Sequence, residues 1–512
     1  MAEIGNKQLI AKNTIYLYTR MLLVMCITLY TSRVILHTLG ASDYGVYSVV
    51  GGIVVMFSFM TGSLAGATSR FLSFDLGKGD YEQIKCTFSA SLNIYLAVAI
   101  LIVFLGEIVG LWLVTNKLTI PDDRMTAAFW VLQFSIITAF FNFTQYPYTA
   151  SLLAHENMSV YAYLGIYEAV SKLAIAYAIT VSPIDSLIFY AFLIMLNQIC
   201  ILTFYRLYAS RKYYECRFRI IRDKNLYKKL LSYSGYDMLP SMGFVFQNQG
   251  TDILLNIFFG PIANAARAIS GQINGVLNQV ISNLMQAARP QVIKSYAQGE
   301  SQVMYNLTFL VSKYAYMLML AMVIPLFFEM EYIIQLWLGS EAPTQTVLYC
   351  RIILLTGLVG TFTYALTMPM HAIGKLRNFS IINSLLYLIP IPVSYIMYRL
   401  GAPDYTIFLA IFVSNILIFF CTLFLLHQIE RFSWSAYVNG ILAICFLITV
   451  LSILYPIAMH FLFPTGLMRL IVVVLGSELI IGLLVWFIAM DQGIKSKVKD
   501  VVVGVTLKYL TS

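Results

Sequence analysis

Charged side chains are scarce in this 512-residue chain. Only 11% of its residues are charged, whereas 60% are hydrophobic, and a soluble domain carries about 25% charged residues. A soluble fold of this length has too little interior to bury so much apolar side chain. The composition therefore excludes an ordinary soluble protein and indicates that most of the chain lies in a membrane.

Sequence motifs of catalysis and metal binding are also missing. The chain contains no nucleophile elbow, no phosphate-binding loop, no dinucleotide glycine pattern and no metalloprotease motif. Its seven cysteines are scattered, with no C-x-x-C pair, and are interpreted as small packing residues. No segment between the apolar runs is long enough to form a catalytic domain. We therefore expect no enzymatic activity, no bound metal and no cofactor.

Fourteen apolar runs of membrane-spanning length are present. A bilayer core of roughly 30 Å needs about 20 helical residues, and the period-2 alternation of a membrane β-barrel is absent. The sequence predicts an all-α polytopic membrane protein with about 14 transmembrane helices. The runs cover residues 13–38, 44–74, 86–113, 124–153, 157–181, 186–209, 228–258, 261–288, 306–338, 344–371, 378–399, 405–427, 438–462 and 468–490.

The chain has a net charge of +9, and its basic residues are distributed unevenly among the loops. Most of the Lys and Arg residues lie in the loops on one side of the predicted membrane, instead of on one soluble face, so nucleic acid is not the expected partner. The positive-inside rule then places both termini in the cytoplasm. A basic connector at residues 210–227 is interpreted as an anchor on anionic membrane lipid.

One stretch of the chain recurs. Leu39–Asp80 aligns without gaps on Phe259–Glu300 after a shift of 220 residues, which pairs Gly40 with Gly260. Each copy contains the second run of a block of six runs. Because six is an even number, both blocks insert with the same orientation and form a parallel repeat. The predicted division is an N-terminal six-helix lobe (1–209), the connector (210–227), a C-terminal six-helix lobe (228–430), and two appended helices with a basic cytoplasmic tail (431–512).

The eighth run has an unusual polar face. Six amide side chains and Arg267 fall on one half of this helix. An unsatisfied polar group in the bilayer core costs several kcal/mol, so this face is predicted to border a water-filled cavity. An amide-laced packing interface remains the alternative. The amides are Gln272, Asn274, Asn278, Gln279, Asn283 and Gln286.

Single cations also occur within the runs. A charge at mid-membrane costs at least about 2.5–3.5 kcal/mol. Glu168 and Lys172 are four residues apart and are expected to pair with each other. Each remaining cation could reach the nearer membrane surface. Considered with the polar face, however, these cations favour a cavity for an anionic ligand, because arginine holds phosphate by a two-pronged fork. The predicted cavity cations are Arg20, Arg267, Lys313 and Arg351.

The segment Asn13–Arg33, followed by LGASDYGVY at residues 39–47, resembles the opening of polysaccharide flippases of the O-antigen or capsule type, in the multidrug/oligosaccharidyl-lipid/polysaccharide exporter superfamily. Phe259-Gly260 at the start of the second block, and the loop glycines Gly79 and Gly299, are similar to this pattern too. The resemblance implies a multi-pass protein of the bacterial inner membrane with two lobes around a central cavity, which alternates between inward-open and outward-open states.

The cargo implied by the resemblance is an oligosaccharide on undecaprenyl pyrophosphate, moved for surface polysaccharide biosynthesis beside polysaccharide assembly proteins. The family pattern places cations at positions comparable to Arg20 and Arg267, where the pyrophosphate would dock, with Lys313 and Arg351 as further candidates. The appended helices would border a groove for the lipid tail.

A Na⁺- or H⁺-coupled multidrug exporter of the same superfamily is the alternative. Such exporters are similar to one another in using membrane acids, often in their first helix, and no acid lies between Glu3 and Asp43. Asp237 and Asp252 on the seventh run are acids that such an exporter would use, so the exporter remains an alternative. The same two acids would equally couple a flippase to an ion gradient. A scaffold without transport activity is a third class, which would not need the polar face of the eighth run.

Overall fold

The computed structural model is predominantly helical in the residues that it describes, which are 2–78, 80–155, 158–182, 184–217, 219, 221, 223–374, 376–430, 432–493 and 495–496. Eleven helical segments are long and apolar enough to cross a membrane, judged by length and composition. Each of the fourteen predicted runs coincides with helix. The prediction of an all-α polytopic membrane protein is confirmed.

The first half of the chain contains eight helices. A π-helical turn at Gly106–Gly110 joins α3 to α4, so the two helices form one continuous rod. The helices are α1 (Ala2–Val55), α2 (Phe59–Lys78), α3 (Tyr81–Leu105), α4 (Leu111–Asn116), α5 (Met125–Ala154), α6 (Met158–Ala178), α7 (Ser186–Lys212) and α8 (Lys224–Phe259).

The described part of the second half continues with nine α-helices. A π-helical turn at Val438–Leu442 joins α15 to α16, and a second one at Val485–Ala489 extends α17. The helices are α9 (Pro261–Ala297), α10 (Ser301–Leu338), α11 (Thr346–Ile373), α12 (Leu376–Leu388), α13 (Pro390–Arg399), α14 (Thr406–Glu430), α15 (Trp434–Tyr437), α16 (Ala443–Leu462) and α17 (Leu467–Leu484).

The paired glycines of the repeat have the same backbone conformation. Gly40 bends α1 and Gly260 separates α8 from α9, and each has a φ of +76°. L-residues rarely adopt this conformation because their Cβ atom clashes with the backbone, whereas glycine adopts it freely. The repeat recognised in the sequence therefore has a local structural counterpart at its two turns.

Contacts divide the chain into two compact units. Unit 1 comprises residues 1–272, 337–346 and 380–411, and unit 2 comprises residues 273–336, 347–379 and 412–512. The boundaries of these units differ from the boundaries of the two lobes predicted from the sequence. The lobes remain predictions. In unit 1, α5 packs against α3 and α7, α1 packs against α6, and α2 packs against α5 and α8.

The connector begins by folding back onto unit 1. Tyr213 and Cys216 are buried in a cluster with residues of α3, α5 and α7. His155 at the end of α5 stacks on the Tyr213 ring, with centroids 4.1 Å apart, and its Nε2 lies 2.8 Å from Glu215 Oε1. Burial raises the pKa of the Cys216 thiol to about 12, so the thiol remains protonated and unreactive.

In unit 2, a buried carboxylate ties the C-terminal helices to α10. Glu329 is 0% exposed, and its Oε2 accepts hydrogen bonds from Arg469 Nε and Nη2 at 3.2 and 3.1 Å. Its Oε1 lies 3.6 Å from His460 Nδ1 on α16. A buried charge is tolerated only with such a partner, so this ion pair fixes α17 against α10.

We predict that Glu329→Ala lowers the free energy of unfolding by about 3–5 kcal/mol, because Arg469 would be left buried without its counter-charge. Glu331→Ala is the matched control. Glu331 lies two residues away, its side chain is 70% exposed and it approaches Arg351 at 3.4 Å, so its loss should cost less than about 1 kcal/mol. Unfolding of the purified protein in detergent measures both. Equal effects of the two substitutions would contradict the anchoring role of Glu329.

Candidate functional site

The larger described cavity lies within unit 1 and has a volume of about 740 Å³. Side chains from α1, α5, α6, α7, α8 and α9 form its wall. Hydroxyl and amide groups dominate the polar part of the wall, and Lys172 and Asp252 are the two charged residues that line it. The hydroxyl and amide residues are Thr28, Thr31, Ser32, Tyr44, Tyr47, Ser48, Ser58, Ser135, Thr138, Asn142, Tyr146, Tyr190, Gln249 and Gln272.

A short chain of hydrogen bonds closes one side of this cavity. Ser32 Oγ donates to Gln272 Oε1 at 2.6 Å, and Gln272 Nε2 donates to Tyr44 Oη at 2.8 Å. The ring of Tyr47, one helical turn after Tyr44, packs against Tyr190 with centroids 4.8 Å apart. These contacts join the polar face of α9 to the two halves of α1 and to α7.

An ionic cluster at the start of three helical segments sets the position of this wall. Arg124 Nε donates to Asp43 Oδ1 at 2.8 Å, its Nη2 contacts Asp43 Oδ2, and its Nη1 contacts Asp185. Asp185 also caps α7, accepting hydrogen bonds from the backbone N–H groups of Leu187 and Ile188 at 3.0 and 3.1 Å. Tyr44 directly follows Asp43, and Tyr190 lies near the start of α7, which Asp185 caps. The Arg124 guanidinium, which contacts both carboxylates, therefore orients both aromatic parts of the wall.

The two charges on the wall differ in their partners. Lys172 Nζ lies 2.7 Å from Glu168 Oε1, so the pairing predicted from their spacing is confirmed. Asp252 is held through its backbone, because its carbonyl oxygen accepts a hydrogen bond from Asn264 Nδ2 at 2.7 Å. Its carboxylate lines the cavity. One of the two predicted ion-coupling residues therefore borders the cavity, and its role stays a prediction.

Buried polar atoms without a protein partner occur on this wall and elsewhere in the described part of unit 1. Gln249 on the wall, together with Asn256, Asn264 and Arg267 near the α8–α9 turn, each contribute one such atom in the described part of unit 1. An unpaired buried donor or acceptor costs about 1–3 kcal/mol. The Gln249 oxygen, which lies on the wall, is available to a polar ligand or to water that enters the cavity.

The predicted cavity cations lie in different surroundings. Arg267 Nη2 donates to Asn248 Oδ1 at 2.8 Å, and its guanidinium lies over the Phe408 ring, 5.8 Å from the centroid. Arg267 is not among the residues that line the cavity of unit 1. Arg20 lies on α1, but its side chain is outside the described part of the structure, as are those of Asp237 and Gln286.

The other two predicted cations have carboxylate partners in unit 2. Lys313 is buried and its Nζ lies 3.5 Å from Asp491 Oδ2. Arg351 Nη2 lies 3.4 Å from Glu331 Oε1, and its Nε donates to the backbone oxygen of Phe327 at 3.1 Å. A ligand phosphate at either position would have to compete with an existing carboxylate.

The predicted amide face of α9 serves two cavities. Gln272 lines the cavity of unit 1, whereas Asn278 and Gln279 line a second cavity of about 600 Å³ in unit 2. Asn278 Nδ2 donates to Asn274 Oδ1 at 2.9 Å, and Gln279 Nε2 donates to Asn283 Oδ1 at 3.2 Å. Residues of this face thus both line cavities and hydrogen-bond to one another along the helix.

Sequence reasoning missed several charged residues of these sites. Arg289 lines the second cavity but lies just beyond the predicted end of the eighth run. Glu329 lies inside the ninth run and could have been singled out as a membrane charge. The link of Arg124 to Asp43 and Asp185 joins residues distant in the sequence, so no local pattern signals it.

Comparison with solved structures gives the fold its class. The structure titled "Lipid II flippase MurJ, inward closed conformation" has a TM-score of 0.71 at 13% identity and covers 93% of this chain and 98% of that one. An inward-facing multidrug resistance MATE transporter of the MOP superfamily gives a TM-score of 0.68 at 13% identity, with 80% and 96% covered. The chain has the fold shared by these transporters.

A third similar structure is a MOP superfamily transporter from Pyrococcus furiosus, with a TM-score of 0.59 at 15% identity, covering 82% of this chain and 96% of that one. Neither a family model nor a curated protein matches the sequence.

We predict that Gln272→Leu lowers the free energy of unfolding by about 1–3 kcal/mol, because the buried hydroxyls of Ser32 and Tyr44 would lose their shared partner. Gln302→Leu, at an exposed amide in the first turn of α10, serves as the control and should change stability by about 0.5 kcal/mol or less. Denaturant titration in detergent measures both variants. If Gln272→Leu were as stable as the control, the hydrogen-bond chain would not hold the wall.

Proposed function

We propose that the protein is a flippase that moves an undecaprenyl-pyrophosphate-linked oligosaccharide across the bacterial inner membrane by alternating access, for surface polysaccharide biosynthesis. The observation that carries this proposal is the cavity of unit 1, in which fourteen hydroxyl and amide residues accompany only two charged ones. Such a wall suits an uncharged, hydroxyl-rich cargo.

The chemistry of a glycan matches this lining. Each sugar hydroxyl donates one hydrogen bond and accepts others, and hydroxyl and amide side chains can reciprocate in both senses. An apolar drug in the same place would leave unpaired any wall group without a protein partner, such as the buried Gln249 amide oxygen, at a cost of about 1–3 kcal/mol for each such group. The rings of Tyr47 and Tyr190 add flat apolar surface on which a sugar ring can lie.

The fold comparison is consistent with a lipid-linked cargo. The lipid II flippase covers 93% of this chain, and the MATE transporter covers 80%. The identity of the glycan head is our inference from the cavity wall and not from the neighbour.

Among the candidate cations, Arg267 is the one that we assign to the pyrophosphate. Its side chain donates a hydrogen bond to an amide, Asn248, and its Nε is buried without a protein partner. Lys313 and Arg351, by contrast, already face carboxylates. In this scheme Arg20 joins Arg267, and lobe motion about the site carries the head group from the cytoplasmic to the outer leaflet.

We predict that Arg267→Ala abolishes complementation of a flippase-deficient strain and leaves the amount of protein in the membrane unchanged, because the phosphate would lose its two-pronged partner. Arg377→Ala, at an exposed arginine preceding the eleventh run, is the matched control and should complement fully. Full activity of the Arg267 variant would overturn the role of this cation. Immunoblotting of membranes supplies the expression measurement.

A Na⁺- or H⁺-coupled multidrug exporter remains the second candidate, favoured by the Asp252 carboxylate on the cavity wall. The same carboxylate would couple a flippase to an ion gradient, so a transport assay with two cargoes separates the candidates. Proteoliposomes containing the protein would be tested with a lipid-linked glycan and, in parallel, with a cationic dye. Gradient-driven movement of the dye without movement of the glycan would favour the exporter.

We predict that Asp252→Asn slows ion-driven transport at least roughly tenfold, because the neutral amide can no longer bind and release the coupling cation. The control is Asp122→Asn, at an exposed carboxylate before α5, which should transport at the wild-type rate. Transport is measured with and without an imposed H⁺ or Na⁺ gradient. An unchanged gradient dependence in Asp252→Asn would show that this carboxylate does not couple.

A further inference from the structure

The cavity of unit 2 has a different character from that of unit 1. It lies near the ends of α9 and α11, has a volume of about 600 Å³, and is lined by two basic residues, Arg289 and His371. No Asp or Glu is among its described lining residues. The remaining polar wall consists of Asn278, Gln279, Ser282, Tyr364 and Thr367.

The basic residues indicate an anionic ligand. A guanidinium presents donors in a planar fork that matches two oxygens of a phosphate group. Arg289 forms no ion pair with a described residue, in contrast to Lys313 and Arg351 of the same unit. Its charge is therefore available to a ligand within the cavity, and the neighbouring His371 can donate a further hydrogen bond.

The amides indicate that the ligand also carries hydroxyl groups. Asn278 donates an N–H to Asn274, the preceding amide on α9, and Gln279 donates one to Asn283, the following amide. Their own side-chain oxygens are thus left to accept hydrogen bonds, and the Thr367 hydroxyl, which donates to the backbone oxygen of Tyr364 at 2.7 Å, can also accept one. A hydroxyl-bearing phosphate ester satisfies both parts of the lining, the cationic and the amide.

We propose that this cavity of unit 2 is a phosphate-binding site in which Arg289 holds the phosphate of a hydroxyl-bearing head group. A volume of about 600 Å³ is within the range of roughly 300–1,000 Å³ typical of small-molecule sites. Two sources share this chemistry, a prenyl-pyrophosphate-linked sugar and a phosphatidylglycerol of the surrounding membrane. The site stands whether or not the chain transports a glycan.

Binding to the purified full-length protein in detergent tests the site directly. The probes are farnesyl pyrophosphate and short-chain phosphatidylglycerol, each titrated by calorimetry, with short-chain phosphatidylcholine as the zwitterionic comparison. We expect at least one anionic probe to bind and Arg289→Gln to weaken it roughly tenfold or more, since charge-assisted hydrogen bonds are lost. Lys294→Gln removes one exposed positive charge on the same helix and should leave binding unchanged.

Filling the cavity gives a second, independent variant. A Cβ atom at Gly275, which lines the cavity, meets no atom within 4 Å, and the same is true of Gly482 on α17. Gly275→Met should therefore fold normally and block the probe, whereas Gly482→Met should fold normally and bind it. This pair remains informative if the Arg289 variant is unstable.

The outcomes separate the alternatives. Binding of farnesyl pyrophosphate alone identifies the lipid-linked cargo as the source, and binding of phosphatidylglycerol alone identifies membrane lipid, and both support the site. The proposal is overturned if neither anionic probe binds, if phosphatidylcholine binds equally well, or if Arg289→Gln and Gly275→Met bind like the wild type. Failure of glycan transport with intact probe binding would overturn the proposed flippase function alone.

Discussion

The structure of unit 1 depends on one close backbone approach. A Cβ atom at Gly45 would lie 1.8 Å from the carbonyl oxygen of Pro261, so only glycine allows the second half of α1 to lie against the start of α9. These are the two helix starts that the repeat equates. Their contact brings Tyr44 to Gln272 and thereby closes the cavity wall.

Buried polar groups then determine what the cavity can hold. In the described part of unit 1, the charged groups next to the wall are largely neutralised by protein partners, as in Arg124 with Asp43 and Lys172 with Glu168. Among the wall amides and hydroxyls, Ser32, Gln272 and Tyr44 are hydrogen-bonded to one another, whereas the Gln249 oxygen is buried without a protein partner. A cavity arranged in this way discriminates by hydrogen bonding more than by net charge, because unpaired polar groups penalise an apolar occupant.

The sequence predicted those features that local patterns encode. The lengths of the apolar runs predicted the helices. The alignment of Gly40 on Gly260 pointed to two equivalent turns, and both glycines have the same backbone conformation. The four-residue spacing of Glu168 and Lys172 predicted their ion pair. Each of these depends on residues close in the chain or on backbone geometry at one residue. Periodicity also gave the polar face of α9, since a helix fixes which side chains share a side.

Features that depend on neighbouring helices were beyond this reasoning. A helical wheel shows that Gln272 and Asn278 share a face, but it contains no information about the elements packed against either residue. The structure assigns Gln272 to one cavity and Asn278 to another. Likewise, the carboxylate partners of Lys313 and Arg351 decide whether these cations are available to a ligand. Arg351 and Glu331 are on separate helices, and hydropathy alone does not indicate their contact.

The divergence of the two copies suggests a division of labour. The alignment places Tyr47 opposite Arg267, and both residues lie early in a helix that begins after a left-handed glycine. In the first copy this position supplies an aromatic ring to the cavity wall, packed on Tyr190. In the second copy it supplies a guanidinium that donates its hydrogen bond to the Asn248 amide and not to a carboxylate. A cargo with a sugar part and a phosphate part needs both an aromatic surface and a cation. Equivalent positions of a duplicated helix could acquire these two functions without altering the turn that orients them.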